Sequence, residues 1–248
     1  MWLCGELPRG PAVAVVGTRH PTTEALHFAH ELSGDLVRAG VAVLSGGAEG
    51  IDGAVHRGAL DAGGPTVVVA GSCITRPFPE KHEELFHEVV VAGGAYLTHA
   101  PHGQAPTQPA FLIRNSYLVA LSHVVVVVEA PHRSGARNAA RWARRLGRPL
   151  FVVPAAPWSP QGAGCIEELR LGARPLTSAR DVLRELDRLR QHAIPSLLGE
   201  SPANSTASGD EHETEQVLQV LDEGEAVLTL ERRGALVPGS PAPGGAAK

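Results

Sequence analysis

Six short apolar runs recur at nearly even intervals: AVAVV (12–16), VAVL (41–44), TVVVA (66–70), AYLT (95–98), VVVVV (124–128) and LFVV (150–153). Their starts lie 25 to 29 residues apart. Each run is nearly continuous, without polar alternation, which predicts strands buried on both faces, as in a parallel sheet. Each interval has room for one helix. The first shows the helical period best. Thr22 or Thr23 can cap it beside Pro21; Ala25, Leu26, Ala29, Leu32 and Leu36 form its apolar stripe, and Gly40 ends it. Repeated strand–helix units predict an α/β fold with a doubly wound, mostly parallel sheet over residues 8–195.

The pattern stops after Leu198. GESPANSTASGDEHETE (199–215) carries almost no aliphatic residue and reads as a linker. Residues 216–238 recover a helix-like, then strand-like pattern that is too short to build a core. Residues 239–248 are expected to be disordered.

Composition narrows the class. The chain is 43% hydrophobic, enough for a core, and its longest apolar runs fall far below the ~18–20 residues of a membrane helix. The start, MWLCGELPRG, lacks the basic n-region of a signal peptide. Cys4, Cys73 and Cys165 are few, odd in number and far apart, which points to a reducing, cytoplasmic setting. Charge is unevenly spread. Residues 111–198 carry thirteen basic and six acidic side chains, whereas the flanking blocks are acidic, and the whole chain nets −4. Anion binding therefore has local support only in the middle block.

Ligands of open α/β sheets sit beyond the carboxyl ends of the strands. The segments there are Gly17-Thr18-Arg19, then SGGAEGID from Ser45 to Asp52, then EAPHRSGARN with Ser134 and Gly135 opening a helix. Gly46, Gly47 and Gly50 let main-chain amides converge on an anion at a helix start. Ser45 can add a hydroxyl, and Asp52 can cap the helix or orient the loop. The same glycines also suit a tight turn with no ligand, and the loop alone does not choose. Arg19 favours binding, whereas Glu49 opposes it unless it points to solvent. Neither a Walker A lysine nor G-x-G-x-x-G is present. Downstream, Arg137, Arg141, Arg144 and Arg148 recur on one helical face with no acid between Glu129 and Glu167, which makes a secondary basic stripe: either a solvated face or a polyanion surface. Ala139, Trp142, Ala143 and Leu146 lie opposite. The histidine pairs His27/His30 and His99/His102 lack further ligands at metal spacing, and no nucleophile–base motif is found.

In order, these segments resemble the DprA (Smf) family of bacterial natural transformation. The resemblance is carried by AVAVVGTRHPT, LSGGAEGIDGAVHRGALDAGGPTVVVAGS, FPEKHEELF, FLIRNSYLVALS, VVVEAPHRSGARNAARWARRLGRPLFVVPA and GAGCIEELRLGARPL. It implies an extended Rossmann-like domain that binds single-stranded DNA, forms a homodimer and loads a RecA-type recombinase, with no catalysis and no cofactor. The DNA-contact residues it implies are Gly17, Thr18, Arg19, Ser45, Gly46, Gly50, Lys81, Arg114 and Asn115, with Ser134 and Gly135 in a further signature. Phe78, Tyr96, Phe111 and Tyr117 are the Phe and Tyr platforms expected near the crevice. Two positions depart from the family pattern: Glu49 stands where a basic or bulky residue is frequent, and Ser116 where a second arginine follows RN. The helical domain that precedes the fold in many members is expected to be missing, and residues 216–238 to be the remnant of a winged helix. The alternatives are a small-nucleotide sensor or phosphoribohydrolase-like enzyme on a related fold, and an inactive scaffold that keeps only dimerisation.

Overall fold

A computed structural model describes residues 1–193. The expected linker, winged-helix remnant and tail (199–215, 216–238 and 239–248) lie outside the described residues. The elements run β1 (Trp2–Gly5), β2 (Ala12–Val16), α1 (Thr23–Arg38), β3 (Ala42–Ser45), α2 (Ile51–Asp61) and β4 (Thr66–Ala70). A 3-10 turn (Glu80–His82), α3 (Glu83–Val91), β5 (Ala95–Thr98), α4 (Gln108–Ala120) and β6 (Val124–Val127) follow. The described part ends with α5 (Gly135–Arg145), β7 (Leu150–Val152), α6 (Ala163–Arg170), β8 (Arg174–Pro175) and α7 (Ala179–Ala193).

All six apolar runs become strands of one eight-stranded sheet, ordered β1-β5-β4-β3-β2-β6-β7-β8. Every pairing is parallel except β1 with β5. The sheet thus begins before residue 8: β1 closes one edge, and its start ten residues before β2 falls outside the even spacing of the six runs. The α/β, doubly wound reading holds, and both faces are covered. Along β2, Ala12, Ala14 and Val16 join one core layer with Leu118 and Val119 of α4 and Ala139, Ala140 and Ala143 of α5. The alternate residues Val13 and Val15 join the other, with Leu32 and Leu36 of α1, Ile51 and Val55 of α2 and Val182 of α7. Phe86 and Val89 of α3 pack on Val68 and Tyr96 toward the β1 edge. Thr22 caps α1 by accepting the Ala25 amide at 3.2 Å. No described helix is long and apolar enough to cross a membrane.

Candidate nucleic-acid interface

Topology sets the site. The chain steps outward from β2 through β3 and β4 to β5, then crosses back through α4 to β6, on the other side of β2. Strand order reverses between β2 and β6, so a crevice opens beyond their carboxyl ends. Two contacts stitch it. The Thr18 amide donates to the Glu129 carbonyl at 2.7 Å. The Glu129 carboxylate accepts from the Thr22 amide at 2.9 Å and the Thr22 hydroxyl at 3.0 Å. The loop after β2 is thereby fixed to the end of β6, and Arg19 projects from it.

Arg19 is exposed and has no ion-pair partner among the described residues. Its guanidinium carbon stands 5.8 Å from the centre of the Phe111 ring, within cation–π range. Phe111 in turn packs against Phe78, ring centres 5.8 Å apart. Phe78 is half-exposed. Tyr96 is different from the sequence expectation: it is fully buried, its hydroxyl paired with Ser72, and it offers no platform. Tyr117 stacks on His99.

The glycine loop connects β3 to α2. Gly50 has φ +79°, and a Cβ there would meet the Thr18 carbonyl oxygen at 2.5 Å, so the loop can close against β2 only with glycine. A Cβ on Gly46 would overlap the Arg114 guanidinium. The amides of Gly46, Gly47 and Gly50 meet no protein acceptor among the described residues. α2 starts without a side-chain cap. These are the unengaged donors that an anion can satisfy.

Beneath the loop lies a buried ion pair. Arg114 Nη1 donates to the Val69 carbonyl at 2.9 Å and stands 4.0 Å from Asp52 Oδ2. Asp52 also accepts the Ala48 amide at 3.3 Å, so it orients the loop from below. Burial pushes the Asp52 carboxyl above its ordinary value, with the Arg114 guanidinium as the main opposing influence. Burial likewise pulls Arg114 down, and Asp52 opposes that. Arg114 Nε is buried with no partner among the described residues. Lys81 is held by Glu49, Nζ to Oε2 at 2.5 Å, and that hydrogen bond draws the Glu49 carboxyl below its usual range.

The sequence-derived residues thus separate. Gly17, Thr18, Arg19, Gly46, Gly47, Gly50, Lys81 and Arg114 gather around the crevice. A cavity of about 60 Å³ is lined by Arg19, Gly46, Phe78, Phe111 and Arg114. It adjoins an open cleft of about 530 Å³ beside Arg19, Glu49, Arg57, Lys81 and His82. Of the other four, three have structural duties, as does Ser116. Ser45 is buried and donates its proton to the Val15 carbonyl at 2.6 Å. Asn115 is buried and braces α4 to α5 through the Gly135 carbonyl (3.2 Å) and Asn138 (3.0 Å). Ser134 caps α5 through the Ala136 amide, and Gly135 meets no steric demand for glycine. Ser116 is buried and donates to the Ile113 carbonyl at 2.7 Å.

The arginine stripe also differs from its expectation. Its missing acid comes from α6: Glu168, 1% exposed, accepts from Arg137 at 2.7 Å and from Arg144. Arg148 Nη2 donates to the Ala120 carbonyl at 3.2 Å, and Arg141 is exposed. Two residues at the cleft escaped sequence reasoning. His82 Nδ1 donates to the Gly47 carbonyl at 3.0 Å, and Arg57 pairs with Glu88 at 2.5 Å. Both contacts span more than thirty residues, and no motif marks them.

Comparison with known proteins identifies the family and the fold. The family model for DNA recombination-mediator protein A matches residues 1–187. The putative DNA processing protein DprA of Mycobacterium tuberculosis is 41% identical over 226 residues, 90% of this chain and 54% of that protein. The chain therefore spans about half the length of that relative. The X-ray structure of DprA from Streptococcus pneumoniae superposes with a TM-score of 0.66 at 31% identity, over 71% of this chain and 61% of the other. DprA from Helicobacter pylori, a structure that describes a single-stranded DNA binding mode, gives 0.66 at 27% identity over 77% and 86%. The chain belongs to the DprA/Smf family of DNA recombination-mediator proteins.

Proposed function

We propose that this chain is the single-stranded-DNA-binding domain of a recombination mediator. It acts without catalysis or cofactor, as a homodimer that passes the strand to a RecA-type recombinase during natural transformation. One observation carries the binding role: an unpaired, exposed Arg19 beside a glycine loop whose Gly46, Gly47 and Gly50 amides have no protein acceptor. Guanidinium and amides hold phosphates, and the Phe78–Phe111 pair offers a ring face to a base; together they give sequence-tolerant binding. The single-strand binding described for the Helicobacter relative supports the same reading. A binding role is favoured over catalysis because the crevice carboxylates are tied to cations, Glu49 to Lys81 and Asp52 to Arg114. The Arg114 cavity by itself, at about 60 Å³, is smaller than the roughly 300 Å³ at which ligand pockets begin, whereas the adjoining cleft of about 530 Å³ is large enough for a nucleotide, so a mononucleotide control is part of the test.

Fluorescence anisotropy with labelled oligo-dT at two salt concentrations tests this. Arg19→Ala should weaken binding and flatten the log–log salt slope by about 0.7, one phosphate contact on a single strand. Unchanged binding in that variant, or a mononucleotide that raises Tm where oligo-dT does not, overturns the reading.

A further inference from the structure

The arginine face of α5 is left over after the rim is accounted for. Arg137, Arg141, Arg144 and Arg145 fall within an arc of about 100° on the helix and span about 12 Å along it. Arg133 precedes the helix cap Ser134. Glu168 pairs with Arg137 and Arg144, so one carboxylate answers two guanidinium groups. Arg133 and Arg141 are exposed and make no ion pair among the described residues. The helix dipole welcomes cations at Arg144 and Arg145, in the last turn, but opposes those at the N-terminal end, where Arg133 and Arg137 sit. Capping of the dipole therefore does not account for the whole face.

Position links this face to the rim. α5 begins just beyond the carboxyl end of β6, the strand at which the order reverses, and runs back along the sheet. An aromatic side chain stands at the same end. Trp158, 84% exposed, lies in the loop between β7 and α6. That loop leads into the first turn of α6, where the Gly164 amide donates to the Ala130 carbonyl at 2.8 Å. A Cβ on Gly164 would meet Arg137 Cδ at 2.9 Å, so this turn lies directly against the start of α5. The exposed cations without an ion pair among the described residues, Arg133 and Arg141, and the exposed indole of Trp158 belong to elements that meet at this end of the sheet, and such groups suit phosphates and stacked bases.

We propose that the α5 arginine face, with Trp158 at its head, is a second track for single-stranded DNA that continues the strand held at the rim. This rests on the rim being a single-strand site. At 3.4 Å per stacked nucleotide, the 12 Å of arginines covers about three to four nucleotides. A strand short enough to sit on the rim does not reach the track, and a long strand does.

The test compares dT6 with dT20 by anisotropy across a salt series, using the full chain. In the double variant Arg133→Gln/Arg141→Gln, the dT20 salt slope should fall by about 1.4, two phosphate contacts, while dT6 binding stays as in the parent. Trp158→Ala should weaken dT20 by about tenfold and leave dT6 alone. Circular dichroism confirms the fold, which these exposed residues do not support. An unchanged dT20 slope in the double variant overturns the track, whatever Arg19→Ala does. Tighter dT20 binding by the double variant also overturns it. If Arg19→Ala leaves both oligonucleotides unaffected while the double variant loses dT20, the rim reading fails on its own and the α5 surface stands as a DNA site.

Discussion

Replacing Arg114 with Met is the sharpest test of how the crevice is built. Met matches much of the aliphatic stem but removes the guanidinium. The Val69 carbonyl then loses its donor at 2.9 Å, and Asp52 loses the cation at 4.0 Å, both inside the protein. Breaking a buried pair from one side costs about 3–5 kcal/mol. The pH dependence identifies the cause. Burial already raises the Asp52 carboxyl above 3.8, and Arg114 is the main influence holding it back. Without Arg114 it rises further. An acid whose folded value exceeds its unfolded value binds more protons when folded, so stability is full below about pH 4 and falls as pH climbs toward the raised value. Arg114→Met should therefore lose more stability at pH 7.5 than at pH 5, relative to the parent. Adding Asp52→Asn should recover much of the loss at pH 7.5. Urea denaturation of the four proteins at both pH values measures this. A loss independent of pH, with no recovery by Asp52→Asn, would refute the claim that Arg114 and Asp52 form one electrostatic unit.

Two further outcomes follow from the same geometry. Gly50→Ala places a Cβ against the Thr18 carbonyl at φ +79° and should cost about 1–3 kcal/mol in urea denaturation while also weakening oligo-dT, because the loop can no longer close on β2. Glu185 has its carboxyl drawn down to about 2, first by the hydrogen bond from Arg188 and then by Arg174. Its contribution is present above its ordinary 4.5 and is lost as pH falls toward 2, so Glu185→Gln should flatten the acid limb of a Tm–pH profile; an unaltered limb would show that these exposed arginines are screened.

The architecture was legible because a parallel sheet writes itself as evenly spaced apolar runs. The six runs are strands, and the alternation of Val13 and Val15 with Ala12, Ala14 and Val16 places helices on both faces. β1 escaped because it starts only ten residues before β2, outside the 25–29-residue spacing that marks the six runs. The site was half legible. Loops after β2 and β3 must lie side by side once the strand order is known, so Arg19 and the glycines were found. What sequence could not supply was the direction of a side chain. Arg114, Asn115 and Ser45 are polar residues in the right segments, yet they point into the protein, where Val69, Gly135 and Val15 use their hydrogens. The acid that answers the arginine stripe was equally hidden, since Glu168 reaches Arg137 from 31 positions away.

The electrostatic consequence for the rim is specific. Of its cations, Arg114 is buried against Asp52 and Lys81 is bound to Glu49, which leaves Arg19 as the exposed charge without an acid. A phosphate that approaches Lys81 must first displace the Glu49 carboxylate, an exchange between two exposed anions whose net worth is about 0–1 kcal/mol. The glycine amides carry no such cost, because they have nothing to release. Binding at this rim should then depend on main-chain donors and one guanidinium more than on its count of basic residues. If the rim holds the strand, Glu49→Gln, which frees Lys81 without altering the scaffold, should steepen the oligo-dT salt slope by up to about 0.7. The same slope in parent and variant would mean that Lys81 never reaches the strand, and that the rim ends at Arg19.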